Sequence, residues 1–284
     1  MKLENMTQLK QFVEEADVVL VGLGQEWMAT YEDILLDLKG SAPVIAQILE
    51  FIARKDEYCD LIQTIEGFYY KNFCPKKLEN AYKTLFELVN KKNYFVLSLS
   101  TDSYLKRYGF KPDRIVNPCG TFEKLQCDKD CEKELFDAEE KYKDVYSLMN
   151  QLATTNDRIS QEEMITIIKE LNDCICNIKC NNCKEKIVFN TLDALKYNES
   201  GYLDQWQIYM KWLQGIVNKK LCIIEAGSGM ELPSVIRWPF EKTAFYNQKA
   251  KMIRIHHKFY QVNEDISERA YGMEQNSVDF FVHG

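Results

Sequence analysis

The sequence has no long apolar run, no excess of basic residues and only three histidines. Its longest apolar run, Val18 to Gly24, is far shorter than the roughly 20 residues that a membrane span needs. The net charge of −7 provides no positive field for nucleic acid or for an anionic membrane surface. We therefore expect neither nucleic-acid binding nor membrane binding.

Several familiar catalytic motifs are also missing from the sequence. It contains no Gly-x-Ser-x-Gly elbow, no P-loop and no His-Glu-x-x-His motif. Two of the three histidines, His256 and His257, follow a predicted strand, where adjacent side chains point to opposite faces. We therefore expect this pair to be a poor site for one metal ion.

The start of the chain shows no export signal. Its first sixteen residues alternate apolar and charged positions instead of forming an apolar core. We therefore expect a cytoplasmic, reducing location. In such a location the ten cysteines are interpreted as free thiols or metal ligands before disulfides.

Short apolar runs alternate with amphipathic stretches along most of the chain. The stretches at 75–92 and 202–217 have the spacing of helices that bury one face. The apolar runs, which predict buried strands, lie at 18–24, 94–100, 114–116, 186–189, 221–227 and 252–255. This alternation predicts an α/β fold with a Rossmann-like, doubly wound parallel sheet.

One stretch interrupts the alternation, because no strand is predicted between Cys127 and Cys183. It has two helical segments, at about 132–152 and 161–172, and the second begins with the capping box Ser160-Gln-Glu-Glu. We interpret the stretch as a small module inserted into the sheet domain. The predicted domains are a nucleotide-binding domain of 1–126 and 184–284, and a zinc-binding helical module of 127–183.

Six of the ten cysteines lie in or at the ends of this module. Cys127 pairs with Cys131 and Cys180 pairs with Cys183, and two such close pairs can complete the tetrahedron that structural zinc prefers. Buried thiols are the alternative, but six clustered cysteines are hard to explain by packing. Two further cysteines leave the exact ligand set open: Cys174 and Cys176.

Three predicted strand ends carry glycines or short polar side chains. Ligands of doubly wound sheets bind at the carboxyl ends of strands, where glycines let a phosphate approach backbone N–H groups. The residues are Gly22 and Gly24; Ser98, Ser100, Thr101 and Asp102; and Gly227, Ser228 and Gly229. Each end alone is typical of an ordinary turn, but together they favour a nucleotide site.

Taken in order, these segments resemble the sirtuins, the zinc-containing NAD-dependent protein deacylases and ADP-ribosyltransferases. DVVLVGLG is similar to the opening strand and Gly-Ala-Gly turn of the family, and YFVLSLSTD to the strand ending in Thr-Gln-Asn-Ile-Asp. CGTFEKLQC is similar to the His-Gly-Ser segment with the first zinc cysteine, CNNC to the second zinc pair, and EAGSGMELP to the Gly-Thr-Ser loop. The resemblance implies NAD and structural zinc as cofactors. It is closest to a bacterial branch, associated with macrodomain proteins, whose members look like protein ADP-ribosyltransferases.

The resemblance also shows where this sequence departs from the family. The catalytic histidine falls on Cys119, and the asparagine that contacts the nicotinamide-side ribose falls on Ser100, whereas Asp102 is retained. The serine after the glycine turn falls near Glu26, and the asparagine that holds the adenosine ribose falls on His256. The resemblance therefore makes Cys119, Ser100 and Asp102 the candidate catalytic residues, and adds Glu26 and His256 to the candidate cofactor-binding residues.

These departures change the expected chemistry. A thiol with a pKa near 8.5 is a poorer base at pH 7 than a histidine, so the interpretation of Cys119 as a packing residue is favoured over a catalytic one. A Glu26 carboxylate about 4 Å from a phosphate would repel it by roughly 4 kcal/mol, unless Glu26 and Trp27 instead cap and pack the helix that follows them.

Two classes of function follow from these residues. An active protein is expected to transfer ADP-ribose or cleave NAD instead of deacetylating, with a protein as its possible substrate or partner. The alternative is a catalytically silent nucleotide-sensing or protein-interaction module, and Glu26 and His256 leave open that the nucleotide is not NAD.

Overall fold

A computed structural model of the chain describes residues 1–129, 131, 135–155 and 158–284. The described residues divide into two units. Unit 1 is formed by three segments: Met1–Met28, Lys76–Cys119 and Tyr202–Gly284. Unit 2 is formed by the remaining two: Ala29–Pro75 and Gly120–Gly201.

The strands belong to two sheets, one in each unit. In chain order they are β1 (Val18–Leu23), β2 (Asn93–Ser98), β3 (Ile115–Val116), β4 (Gly120–Cys127), β5 (Phe136–Asp137), β6 (Ile187–Thr191), β7 (Leu221–Ala226), β8 (Lys251–Ile255) and β9 (Ala270–Met273).

Helices flank these strands in both units. In chain order they are α1 (Met6–Glu15), α2 (Tyr31–Ser41), α3 (Pro43–Ile52), α4 (Cys59–Asn72), α5 (Lys76–Val89), α6 (Tyr104–Arg107), α7 (Ala138–Lys141), α8 (Lys143–Ala153), α9 (Gln161–Asn177), α10 (Ser200–Gly215), α11 (Arg237–Tyr246) and α12 (Ser277–His283). Among the described residues, no helix combines the length and the apolar character that a membrane crossing requires.

The sheet of unit 1 is parallel throughout, with the strand order β3-β2-β1-β7-β8-β9. β1 and β7 lie at its centre, and all six residues of each strand are buried, as expected for parallel strands covered on both faces. This sheet confirms the predicted Rossmann-like α/β fold. It also contains β9, which the sequence analysis missed because four residues including Gly272 form no apolar run.

The sheet of unit 2 corrects two predictions. It is antiparallel, with the order β5-β4-β6, so the strand predicted at 186–189 does not belong to the parallel sheet. The prediction of no strand between Cys127 and Cys183 was also wrong, because the two-residue β5 lies there. β4 was missed because its pairing with β6 is interrupted between Thr121 and Leu125, which removes the regular alternation that marks a strand.

The helical part of unit 2 agrees with the sequence more closely. The segment predicted at 161–172 is α9, and the hydroxyl of Ser160 and the carboxylate of Glu163 form the predicted capping box. The segment predicted at 132–152 is represented by α7 and α8, and residues 132–134 of it lie outside the described residues. The predicted module of 127–183 lies inside unit 2, which also includes 29–75, so the proposed domain division stays a prediction.

The centre of the parallel sheet contains a buried ionic network. Glu225 on β7 lies opposite Arg254 on β8, and the Arg254 Nε and Nη2 atoms each lie 2.8 Å from a carboxylate oxygen of Glu225. Arg237 at the start of α11 adds a third contact to this carboxylate, at 3.3 Å. Both Glu225 and Arg254 are almost completely buried, and Arg254 has a second carboxylate partner, because its Nη1 lies 2.7 Å from Glu241 on α11.

We predict that Glu225→Gln lowers the free energy of unfolding by about 3–5 kcal/mol, because Arg237 and Arg254 lose the buried carboxylate that they share and only Arg254 keeps another, Glu241. Urea unfolding followed by circular dichroism measures this change. Glu15→Gln, which removes the exposed ion pair with Lys251, serves as the control and should leave the urea midpoint almost unchanged. Equal midpoints for the two variants would contradict the prediction.

Candidate functional site

The carboxyl ends of β1, β2, β7 and β8 meet at one edge of the unit 1 sheet, because these strands are parallel neighbours. We call this the strand-end edge. The candidate residues that follow these strands therefore lie along it, and they are Gly24 and Glu26; Ser100 and Asp102; Gly227, Ser228 and Gly229; and His256. The structure brings these residues together, while their role in binding a ligand stays a prediction.

The glycines of this edge let the protein's own segments approach each other closely. A Cβ atom on Gly24 would lie 2.2 Å from the Ser228 Cα, so the loops after β1 and β7 are in backbone contact. A Cβ atom on Gly22 would lie 2.5 Å from the Ile236 side chain, so Gly22 makes room for core packing. These close approaches explain the glycines without a ligand.

In the loop from Gly227 to Gly229, two backbone N–H groups have hydrogen-bond partners and one side-chain hydroxyl has none in the part of the chain that the structure describes. The Gly227 N–H donates to the Ile255 carbonyl at 2.8 Å, and the Gly229 N–H donates to the Gln25 side chain at 3.1 Å. The Ser228 hydroxyl, in contrast, is buried and has no hydrogen-bond partner among the described residues. An unpaired buried hydroxyl is unfavourable, so this atom is suited to contact a bound ligand.

Glu26 has its carboxylate engaged by the protein itself. One oxygen accepts the Ser277 N–H at 2.6 Å, at the first turn of α12, and the other accepts the His257 N–H at 3.1 Å and contacts the His257 Nδ1 at 2.6 Å. Burial of the carboxyl group raises its pKa, but the hydrogen bonds from Ser277 and His257 outweigh burial and hold the pKa below its usual value. Glu26 is therefore an ionised group whose hydrogen-bonding capacity is used within unit 1.

Trp27 forms part of the core beside this carboxylate. Its side chain is fully buried, with ring centroids 5.0 Å from Tyr82 and 5.4 Å from Phe281. Its indole Nε1 donates to the Ser277 hydroxyl at 3.1 Å. Of the two expectations for Glu26 and Trp27, the structure shows capping and packing, although the helix concerned is α12 and not the one that follows them.

The expectation that His256 and His257 point to opposite faces was wrong. β8 ends at Ile255, so the pleat no longer applies, and the two rings stack with centroids 4.5 Å apart. Both rings lie close to the Glu26 carboxylate, in a group with the residue types of a metal site. However, the His256 Nδ1 already accepts the Lys258 and Phe259 N–H groups, at 2.9 and 3.0 Å.

These two contacts define the chemistry of His256. They occupy the lone pair of Nδ1 and fix the proton on Nε2, so the ring is a hydrogen-bond donor and not a metal ligand. Burial lowers the pKa of His256, which favours this neutral form. The Nε2 atom lies 3.8 Å from the position of a Cβ on Gly229, beside the loop that carries Ser228.

Ser100 and Asp102 form a hydrogen-bonded pair after β2. The Ser100 hydroxyl donates to the Asp102 carboxylate, which also accepts the Tyr104 N–H at 2.8 Å. Burial raises the pKa of Asp102 to about 6, while the hydrogen bonds from Ser100 and Tyr104 act in the opposite direction. Ser98 supports the same turn, because its hydroxyl accepts the Ser100 N–H at 3.1 Å. Of the predicted catalytic residues, this pair is thus held together.

Cys119 lies in a different environment from Ser100 and Asp102. Its side chain is 5% exposed and belongs to an apolar cluster with Leu97, Leu99 and Val116. This position agrees with the packing interpretation of the thiol. Its catalytic role stays a prediction.

Arg237, which was not predicted from the sequence, connects the ionic network to the site. Its guanidinium donates to the Ser228 carbonyl at 3.2 Å and to the Phe259 carbonyl at 3.0 Å. The signal was available in the sequence, because Glu225 and Arg254 each interrupt an apolar strand. Opposite charges in two such strands indicate a buried pair.

Unit 2 contains the cysteine cluster. Sγ–Sγ distances are 3.4 Å for Cys127–Cys131 and Cys127–Cys183, 3.5 Å for Cys131–Cys180, and 3.2 Å for Cys131–Cys183. A zinc ion with four thiolates at 2.3 Å requires separations of roughly 3.8 Å, so a small adjustment fits the four sulfurs to zinc. Cys174 and Cys176 lie outside this group.

The turns that carry these cysteines are also well defined. Cys180 and Cys183 lie in a tight turn in which the Cys180 N–H donates to the Glu185 carbonyl and the Lys184 N–H donates to the Cys180 carbonyl. Cys127 ends β4, where it pairs with Ile187. The side chains of Cys127 and Cys180 are fully buried, so the fold holds two of the four sulfurs rigidly.

Comparison with known proteins agrees with this architecture. No family model matches the chain. A protein ADP-ribosyltransferase from Staphylococcus aureus is 19% identical over 288 aligned positions, which cover 94% of this chain and 83% of the relative.

Two solved structures show the same fold. A Sir2 crystal structure in complex with the inhibitor EX-527, 2′-O-acetyl-ADP-ribose and a deacetylated p53 peptide has a TM-score of 0.51 and 14% identity, covering 97% of this chain and 96% of that chain. A mutant Sir2 with a p53 peptide and NAD has a TM-score of 0.50 and 15% identity, covering 98% and 96%. The chain therefore has the fold of these Sir2 structures.

Proposed function

We propose that the protein binds NAD at the strand-end edge of unit 1 and transfers ADP-ribose in preference to removing acyl groups. The observation that carries this proposal is the buried Ser228 hydroxyl, which lacks a partner among the described residues. The sirtuin fold and the relative named as a protein ADP-ribosyltransferase support it. A protein acceptor and a cytoplasmic location stay predictions.

The polar groups of the edge suit the oxygen atoms of a nucleotide. Ser228 Oγ and the protonated Nε2 of His256 are both hydrogen-bond donors, and phosphate and ribose oxygens accept such bonds. Glu26 is ionised, but its oxygens are taken up by Ser277 and His257. The residues therefore fit NAD better than the sequence alone implied, since the Glu26 carboxylate is turned toward α12.

The residues present favour transfer over deacylation. NAD, when bound, supplies an ADP-ribosyl group with nicotinamide as its leaving group. The Ser100 hydroxyl donates to Asp102 and its oxygen accepts the Asp102 N–H at 3.4 Å, so one lone pair remains that can accept a hydrogen bond from a ribose hydroxyl. No histidine stands at position 119, and losing a positioned base typically lowers a rate by about 10²–10⁴.

We also propose that Cys127, Cys131, Cys180 and Cys183 hold one structural zinc ion. The convergence of the four sulfurs supports this site, and thiolates are ligands that zinc prefers. Zinc in such a site contributes to folding and takes no part in the reaction, because all four ligand positions are filled by protein.

We predict that isothermal titration calorimetry detects NAD binding to the full chain, and that Ser228→Ala weakens it about five- to tenfold. The loss of one hydrogen bond, about 1–1.5 kcal/mol, is the physical reason. Ser147→Ala, an exposed change on α8, is the matched control and should leave the dissociation constant unchanged. No binding at millimolar NAD would favour the catalytically silent alternative.

We predict that Asp102→Asn lowers nicotinamide release at least tenfold, whereas Cys119→Ala lowers it less than threefold. In the wild-type protein, nicotinamide release should increase as the pH rises through about 6. Asp102 ionises over that range, and its carboxylate accepts the hydrogen bond from the Ser100 hydroxyl. The pKa of Asp102 is raised from its ordinary value of 3.8 in the folded protein. The free energy of unfolding should therefore fall as the pH rises from about 4 to about 6. A tenfold loss of nicotinamide release in Cys119→Ala would contradict the packing interpretation and make the thiol a catalytic residue.

We predict one zinc ion per chain by elemental mass spectrometry, and its loss in Cys180→Ser together with a lower melting temperature. Removing one thiolate opens the tetrahedral site, and structural zinc stabilises small domains by on the order of 10 kcal/mol. Cys176→Ser is the matched control, because this exposed cysteine lies outside the cluster. A folded wild-type protein with zinc content near zero would refute the site.

A further inference from the structure

Unit 1 contains a cavity that the proposed NAD site does not use. It has a volume of about 570 Å³ and is lined by α10, the start of β7 and α11. Leu221, the first residue of β7, lines the cavity, whereas the Gly227 loop follows the end of that strand. The volume lies within the range of small-molecule sites.

The walls of this cavity are mainly apolar. Aliphatic side chains of α10 and of the segment after it, including Leu213 and Ile216, line one part, and Val235 and Pro239 line another. Trp238 and Tyr246 at the cavity are 55% and 69% exposed. Large apolar side chains that stay in water beside a concave surface are typical of a binding site.

The polar groups that remain available in the cavity can donate hydrogen bonds. The Tyr209 side chain is 2% exposed, and no described residue hydrogen-bonds its hydroxyl, while burial raises its pKa and keeps it protonated. The indole N–H groups of Trp206 and Trp238 also have no hydrogen-bond partner among the described residues. The amide of Asn247, in contrast, is used by the Lys219 carbonyl at 3.1 Å.

Lys242 adds a positive charge to these donors. It lines the cavity from α11 and forms no ion pair with a described carboxylate, although it shares an adjoining groove with Glu241 and Asp265. None of the described residues that line the cavity is acidic. The cavity thus combines apolar walls with unpaired donors and one cation.

From this combination we infer that the cavity binds an anionic amphiphile, namely a straight-chain fatty carboxylate. The alkyl chain removes apolar wall surface from water, and the carboxylate accepts hydrogen bonds and pairs with Lys242. A zwitterionic or cationic ligand is disfavoured because no acidic side chain of the described lining compensates its positive charge. This inference does not rest on the proposed NAD site, because the cavity lies at the start of β7 and the Gly227 loop follows its end.

Titration of the full chain with laurate below its micelle concentration tests this inference, with tryptophan fluorescence as the readout because Trp206 and Trp238 line the cavity. We expect saturable binding that is weakened roughly fivefold or more by Lys242→Glu. Lys211→Glu, an exposed change on α10 outside the lining, should leave the dissociation constant unchanged.

Two further measurements separate this site from nonspecific adsorption. Val217→Trp, at an exposed lining position, should block the binding of laurate, and dodecanol should bind with an affinity that Lys242→Glu does not alter. The absence of saturable laurate binding, or equal affinities of the wild type and Val217→Trp, would overturn the inference. Equal laurate affinities of the wild type and Lys242→Glu would overturn the assignment of an anionic ligand.

Discussion

The loop positions in the candidate site depend on the ion pairs that the buried Glu225 carboxylate forms. It holds Arg254 and Arg237, whose remaining N–H groups donate to the carbonyls of Ser228, Phe259 and Gln261. Glu241 on α11 adds a second carboxylate, 2.7 Å from the Arg254 Nη1, and this ionic network holds the loops after β7 and β8 in place. Such a buried network contributes little net stability compared with apolar packing, but it sets where the loop atoms lie.

Around this network, unit 1 retains the arrangement of a dinucleotide fold while its individual contacts differ from those that the family resemblance implies. Glu26 places a carboxylate where the resemblance implies a serine, and the first turn of α12 and His257 compensate it. His256 stands where the resemblance implies an asparagine. Its Nδ1 accepts two backbone N–H groups, so only the N–H of Nε2 is left to bind a ligand, as a hydrogen-bond donor. Most polar side chains of the strand-end edge therefore form hydrogen bonds within the protein, whereas the Ser228 hydroxyl has no partner among the described residues and can bind a ligand.

The sequence predicted the parallel sheet and the four converging cysteines because both depend on local patterns: apolar runs between helices, and close pairs of thiols. It failed where a residue's role depends on a distant partner. Neither the α12 contact of Glu26 nor the stacking of His256 on His257 can be inferred from spacing, since 251 residues separate Glu26 from Ser277. β4 was missed for a related reason, because its irregular pairing with β6 hides the alternation of a strand.

The central claim is that a nucleotide occupies the strand-end edge of unit 1. Hydrogen–deuterium exchange of the full chain, with and without saturating NAD, tests it most directly, because it reports which backbone amides a ligand protects. The account predicts slower exchange in the segments 98–103, 227–229 and 256–260. Unchanged exchange in these three segments, at an NAD concentration that saturates calorimetric binding, would contradict it.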